Sequence, residues 1–368
     1  MNNIVYILGA GCSAFKDGYP LARDFREALT EYRDKLGQRP NCERLKQCLT
    51  NTVSLMEQYQ SPTVDRLVSR ILEELARLKR PLSSFEGVKH ERLEQFADNQ
   101  ILDAKRATVA LFLDRETSAQ RSGLQGYRDF LNIIFEGNRD SGVLKSTASR
   151  VLSFNYDRLF EIAFGEFFRL NFDMSLYAQP WLNSGIDFLR RQAEDVDVNR
   201  FSLLKLHGTA GLLVAEQYGQ TRYGWNANLN NADILVDNNL FWPTIGKPTA
   251  HPRETPEPLI TFPVVKDRAR SGDTSFLFDN YLRAIWGHHG QPGYAEQLIH
   301  EAEKIWVIGY SFDPNDRKAM IELLRKSGNC PIYIRNRTKE EAQRICDEEL
   351  VPHYDDLAPR FRAIGNPF

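Results

Sequence analysis

Apolar residues along the chain follow two periods, and the alternation between them outlines the fold. Ile4 to Leu8 form an almost continuous apolar run, which is typical of a strand covered on both faces. Similar short runs return at Val151 to Ser153, Leu203 to Leu206, Ile305 to Ile308 and Ile332 to Ile334. Segments with helical spacing separate these runs. Strands that alternate with helices predict an α/β, Rossmann-like, mostly parallel sheet with helices on both faces.

One long block interrupts this alternation. Between residues 39 and 148 there is little strand pattern, and apolar residues recur at helical spacing, most clearly from Val64 to Leu78. We expect two further helices here, within Arg92 to Asp114 and within Leu124 to Phe135. The sequence therefore predicts a Rossmann-like core of residues 1–38 and 149–368 with a large helical insertion of residues 39–148.

A second block, from Gly208 to about Pro258, is rich in Asn, Gly and Pro, and we expect it to be a long irregular loop. A short strand at Leu259 to Phe262 and a helix at Ser275 to Gly287 are predicted to follow it.

Charge and cysteine content exclude several classes of protein. Lys and Arg total 47 against 49 Asp and Glu, a net charge of -2, which argues against a protein that coats DNA but permits a local basic patch. No apolar run reaches membrane-spanning length, and the first residues lack a signal peptide. The cysteines form no C-x-x-C pair, so we expect no zinc site and reduced thiols in a cytoplasmic protein; they are Cys12, Cys42, Cys48, Cys330 and Cys346.

The first predicted strand runs into a glycine turn, Gly9-Ala10-Gly11-Cys12-Ser13-Ala14, which fits the G-x-G-x-x-A pattern of dinucleotide sites. Gly9 permits a tight turn, Gly11 lets the backbone approach a pyrophosphate, and the next helix offers its amides and dipole to the anion. A turn without a ligand is the alternative. The acidic residue that dehydrogenases carry about twenty residues on is not in place, because Glu31 lies within the predicted first helix.

Four separated segments, taken together, resemble the sirtuin-like superfamily. The glycine turn with Gly18-Tyr19-Pro20 is similar to the family's G-A-G-x-S and G-x-P loop, and Ser153-Phe154-Asn155-Tyr156-Asp157 is similar to its T-x-N-x-D. Lys205-Leu206-His207-Gly208 matches its strand-end H-G, and Ile308-Gly309-Tyr310-Ser311-Phe312 its G-x-S turn. Asn336, just after a strand, is a weaker fifth match to an adenine-contacting Asn. The matches extend from residue 9 to residue 336 in the order of the family.

This resemblance implies an NAD site. Asn155 and Asp157 would contact the nicotinamide and its ribose, and His207 would act near the ribose hydroxyls as a base or an orienting group. The dinucleotide would be held by Gly9, Ala10, Gly11, Cys12, Ser13, Pro20, Arg23, Phe25, Gly309, Ser311 and Asn336. From the residues alone, Asp157 can also be a helix N-cap, and His207 a hydrogen-bonded strand-end histidine. Asn155 and His207 both follow strands, at the edge where open α/β sheets bind ligands.

The resemblance further implies cleavage of the bond between nicotinamide and ribose. Family members that remove acyl groups from lysine usually carry a four-cysteine zinc module, which this chain cannot form, and G-I-P-D-F-R where this chain has Gly18-Tyr19-Pro20-Leu21. Water is therefore the expected acceptor, which makes the chain an NAD glycohydrolase. Zinc-free members resemble bacterial anti-phage effectors that deplete NAD, controlled by homo-oligomerisation or by a partner such as a hexameric DNA-translocating ATPase.

Two other functions stay open. The chain can be a module that binds NAD or ADP-ribose without cleaving it, although such a module has no need for both Asn155 and His207. It can also be a nucleic-acid-acting subunit, for which basic residues such as Arg190-Arg191, Arg335 and Arg337 would supply the contacts.

Overall fold

A parallel sheet forms the centre of the chain. The computed structural model describes residues 3–13, 19–20, 24–36, 43–79, 87–145, 147, 149–170, 183–184, 201–217, 220–225, 257–262, 285–288, 291–312 and 314–365. Among these, seven parallel strands form one sheet: β1 (Ile4–Leu8), β2 (Arg150–Ser153), β3 (Asn183–Ser184), β4 (Ser202–Lys205), β10 (Lys304–Ile308), β11 (Ile332–Arg335) and β12 (Phe361–Ala363).

The strand order is β12-β11-β10-β1-β2-β4-β3. The strands that follow β1 in the chain lie on one side of it up to β4, and the later strands β10 to β12 lie on its other side. Ile4 pairs with Lys304 of β10, and Val5 pairs with Arg150 of β2. Such a reversal of strand order opens a crevice at the carboxyl ends of the strands. The predicted Rossmann-like α/β fold is confirmed, and the strands lie within about one residue of the apolar runs. Strands β1, β2 and β4 are buried on both faces, whereas buried and half-buried residues alternate in β10 and β11.

Two small sheets lie outside the main one. Strands β5 (Gly208–Gln217) and β6 (Gln220–Trp225) form an antiparallel hairpin that β7 (Glu257–Ile260) extends, and β8 (Gly287–His288) pairs with β9 (Gln291–Pro292). The predicted irregular loop is therefore wrong over residues 208–225. Antiparallel pairing supplies the backbone bonds there, although the composition of the whole block resembles a loop. Residues 226–256, and most of the helix predicted from Ser275, lie outside the described residues.

The described helices are α1 (Phe25–Leu36), α2 (Glu43–Gln58), α3 (Val64–Lys79), α4 (Gly87–Ile134), α5 (Leu159–Phe168), α6 (Tyr294–His300), α7 (Pro314–Arg325) and α8 (Lys339–Arg344), the last continued by a π-helical segment at Ile345–Leu350. The prediction of two separate helices in the second half of the insertion is wrong, because α4 is continuous over 48 residues. Buried residues such as Leu113, Glu116 and Ala119 carry its packing through the polar stretch that suggested a break.

The chain divides into two compact units. The first comprises Met1–Tyr19, Ser118–Thr209 and Lys266–Phe368 and contains the main sheet; the second comprises Pro20–Thr117 and Ala210–Val265 and contains α1 to α3. Within the second unit, Cys48 and Asn51 of α2 both donate to the Asp103 carboxylate of α4. Across the described ranges, no helix combines the length and the apolar character that crossing a membrane requires.

Candidate functional site

The turns that follow β1 and β10 are packed against each other. Gly9 N donates to Ile308 O at 2.9 Å, and Gly11 N donates to Gly309 O at 2.8 Å. A Cβ atom on Gly9 would lie 2.6 Å from Gly309 O, and one on Gly11 would lie 2.8 Å from it. Gly309 itself has a φ of +62°. The structure therefore gives these three glycines a role in packing one turn on the other.

Beside these turns, Ser13, Tyr127, Asn155 and Asp157 form a cluster of polar side chains, called here the buried cluster. The Ser13 and Tyr127 hydroxyls are 2.7 Å apart. The Asn155 amide donates to both of them, at 3.3 Å to Ser13 Oγ and 3.2 Å to Tyr127 OH. Asn155 is 5% exposed, and its Oδ1 is buried without a hydrogen-bond partner among the described residues. That oxygen therefore has an acceptor capacity that the described residues do not use.

Asp157 completes the buried cluster. Burial raises the pKa of its carboxyl group, while the Lys205 ammonium and a hydrogen bond from Ser13 lower it. When Asp157 is ionised its carboxylate only accepts, so Ser13 donates to Asp157 and Tyr127 donates to Ser13. The backbone N–H of Leu159 also donates to Asp157 Oδ1, at 3.0 Å. This bond forms a turn that precedes α5, whose N-cap residue is Arg158, so Asp157 is not the N-cap that its place before the helix suggested.

Lys205 and Glu161 form a buried ion pair behind Asp157. Lys205 Nζ lies 3.2 Å from Glu161 Oε1, and the two side chains are 3% and 0% exposed. The same ammonium donates to the backbone carbonyl of Asp157 at 2.6 Å. Thr209 Oγ1 adds a further bond to Glu161 Oε1 at 3.4 Å. One cation thus connects the end of β4 to the loop that carries the buried cluster.

His207 lies at the end of β4, next to the aromatic residues that flank Asn155. Its ring packs edge-on against Phe154, with 5.0 Å between centroids, and 5.9 Å from Tyr156. Trp286 Nε1 donates to Leu206 O at 3.0 Å and so anchors the preceding residue. His207 is 2% exposed, and its strand end is the one predicted from the sequence.

A cavity of about 590 Å³ opens at the point where the strand order reverses. Its walls include Gly11 and Cys12 after β1, Gly309 after β10, and Arg335, Asn336 and Arg337 at the end of β11. The C-terminal part of α4 supplies the opposite wall through residues that include Tyr127, Asp129 and Phe130. The volume is in the range of small-molecule sites. Tyr127 belongs to both this cavity and the buried cluster.

The Cys12 thiol and the Tyr127 hydroxyl, which both lie on the cavity wall, stay protonated near neutral pH. Burial raises the pKa of the Cys12 thiol to about 12, and its Sγ donates to Ile308 O at 3.1 Å. Burial, together with the nearby Asp157 carboxylate, also raises the pKa of Tyr127 well above its usual range. Both groups are therefore hydrogen-bonding neutral side chains rather than nucleophiles.

The remaining residues that the sequence predicts to bind the dinucleotide do not all lie at the cavity. Asn336 lines the cavity with its Oδ1 accepting from Arg337 N at 2.9 Å, while Ser311 and Ala10 are exposed. Pro20 and Phe25 belong to the second unit, and Arg23 lies outside the described residues.

Sequence reasoning missed Tyr127 and Lys205 and did not place Arg335 at the site. Tyr127 lies in a helical stretch without any motif, and its contact with Ser13 spans 114 residues. Lys205 had one usable signal, since a lysine in a strand buried on both faces needs an acidic partner.

Among the residues that the structure describes, no three His, Cys, Asp or Glu side chains are grouped as metal ligands would be. No model of a known protein family matches the chain, and no curated protein matches it.

Proposed function

We propose that this chain is an NAD glycohydrolase, which transfers the ADP-ribosyl group of NAD to water and releases nicotinamide. The observation that carries the proposal is the hydrogen bonding of the Asn155 side-chain amide. Ser13 and Tyr127 fix its amide nitrogen, which leaves a buried Oδ1 free to accept from a ribose hydroxyl or from the attacking water. This residue follows β2, at the strand edge where open α/β sheets bind ligands.

In the proposed reaction, the bond between C1′ of the ribose and the nicotinamide nitrogen breaks. The bonding electrons return to the pyridinium ring, so nicotinamide leaves as a neutral molecule and the ribose develops oxocarbenium character. Asp157 supplies negative charge near this position. Water then bonds to C1′ and loses a proton, and His207 is the group we assign to accept it.

The site also supports a second candidate, a module that binds NAD or ADP-ribose without cleaving it. Asn155, Asp157 and His207 are 5%, 3% and 2% exposed, so the proposed catalytic groups lie behind the cavity wall. A binding module would use the cavity alone and keep these groups for stability.

Resemblance to the sirtuin-like superfamily is the support for a wider role, an NAD-depleting defence effector held inactive until triggered. Homo-oligomerisation and a partner ATPase belong to the same proposal.

The decisive experiment measures nicotinamide released from NAD by the purified chain. We expect Asn155→Ala and His207→Ala each to lower the rate about a hundredfold or more, as removal of a positioned polar group does elsewhere. His353→Ala is the matched control, because His353 is exposed. Thermal unfolding followed by circular dichroism would verify that each variant is folded.

Full activity in both variants would contradict the assigned residues. A native chain that binds ADP-ribose but releases no nicotinamide at any enzyme concentration, alone or with candidate activators, would establish the binding module instead.

A further inference from the structure

The amides of the glycine turn are already engaged within the protein. Gly9 N and Gly11 N donate across to the turn after β10, while Cys12 N donates to Gly9 O at 2.9 Å and Ser13 N to Ala10 O at 3.1 Å. The segment Ala10–Cys12 is a single 3-10 turn, too short to develop a helix dipole. Four of the five amides between Gly9 and Ser13 are thus committed, and this segment lacks the array of free N–H groups that holds a phosphate in other dinucleotide sites.

Two arginines face the same cavity from the end of β11. Arg335 and Arg337 both line it, next to Asn336. Cys12 of the glycine turn lines the same cavity, so Arg335 and this turn border one space. Arg335 is half-buried, and burial is the main cause that lowers its pKa. A phosphate bound there would be partly shielded from water, which strengthens its attraction to the guanidinium.

The charge balance of the cavity favours an anion. Among the described residues of its wall there are two guanidinium groups and one carboxylate, that of Asp129, which accepts a hydrogen bond from Gln125. Cys12 and Tyr127 are neutral, because the pKa of each is raised far above physiological pH. Guanidinium groups bind phosphate oxygens in pairs of parallel hydrogen bonds, so this cluster suits a phosphate better than a neutral ligand.

We propose that Arg335, assisted by Arg337, holds the diphosphate of the dinucleotide at the end of β11, in place of the glycine-turn amides. The inference deepens the proposed function, since it takes the ligand to be a dinucleotide. It makes Arg335 a ligand-binding residue and gives the glycine turn the task of packing β1 against β10. Recognition would then depend on the phosphates, so ADP and ADP-ribose bind and adenosine binds weakly.

The test compares the affinities of three probes, ADP, ADP-ribose and adenosine, by isothermal titration calorimetry. Replacing Arg335 with glutamine (Arg335→Gln) should weaken ADP and ADP-ribose about tenfold to a hundredfold, the effect of losing charge-assisted hydrogen bonds. Adenosine affinity should not change. Arg337→Gln should have a smaller effect because Arg337 is exposed, and Arg362→Gln, at an exposed arginine of β12, is the matched control.

Unchanged ADP affinity in Arg335→Gln, or an equal loss for adenosine, would overturn the inference. The proposed function fails separately: ADP carries no nicotinamide, so its binding is independent of bond cleavage. A native chain that binds ADP through Arg335 but releases no nicotinamide from NAD, alone or with candidate activators, would keep the inference and refute the hydrolase. If the native chain hydrolyses NAD and the Arg335→Gln variant binds ADP with unchanged affinity, the hydrolase is supported and the inference is refuted.

Discussion

At the ends of β2 and β4, polar side chains are almost fully buried and bonded to one another, whereas at the ends of β10 and β11 they line an open cavity. Asn155, Asp157 and Lys205 represent the first arrangement; Arg335 and Asn336 represent the second. Buried polar groups hold their positions only through mutual hydrogen bonds, while exposed ones can exchange water for a ligand. In the proposed function, the buried side carries out the chemistry and the open side binds the ligand. Each of the following variants tests that division.

The largest effect is expected at the buried ion pair. Lys205→Met should lower the free energy of unfolding by about 3–5 kcal/mol, because the buried Glu161 carboxylate would lose the ammonium that lies 3.2 Å from it. Urea denaturation would measure it. Lys326→Met is the matched control: Lys326 lies 2.9 Å from Glu296 in an exposed pair, for which the expected loss is about 1 kcal/mol or less. Equal losses in the two variants would refute a special role for the buried side.

The turn after β10 offers a steric test of the open side. Gly309→Ala should destabilise the chain by about 2–4 kcal/mol, from the positive φ and from a Cβ only 2.6 Å from Cys12 N. Gly328 has a similar φ of +61° with nothing near its Cβ position, so Gly328→Ala isolates the backbone contribution, about 1–2 kcal/mol. If the melting temperatures of Gly309→Ala and Gly328→Ala fall equally, the added Cβ between the two turns costs no stability beyond the backbone contribution.

Tyr127 belongs to both sides, and its variant has the smallest expected effect. Tyr127→Phe keeps the ring against Phe160, 5.8 Å between centroids, but removes the hydroxyl that orients Asn155. We expect a stability loss of about 1–2 kcal/mol and about tenfold slower nicotinamide release, with little change in ADP affinity. Tyr6→Phe, whose ring packs edge-on against Phe130, is the control. A change in ADP affinity as large as the change in rate would show that the two sides act as one.

Some features on each side of this contrast were predictable from the sequence, and others were not. Strand β1 was predictable because a strand covered on both faces needs a continuous apolar run, and the strand-end rule placed Asn155 and His207 at one edge. The hairpin of β5 and β6 was not, because its stability comes from pairing that composition does not encode. The meeting of Ser13 with Tyr127, and of Lys205 with the carbonyl of Asp157, depends on how distant elements pack. No local pattern encodes such contacts.

The pairing of β1 with β10 determines when the sheet can form during synthesis. Ile4 and Lys304 are neighbours in the sheet although 300 residues separate them in the chain. A ribosome adding about 5–20 residues per second would finish β1 many seconds before β10 exists. Until then Gly9 and Gly11 have no partner turn and the cavity lacks a wall. Nascent chains that end before Arg337 therefore lack part of the cavity wall, so the proposed dinucleotide site is complete only after β11 has been made.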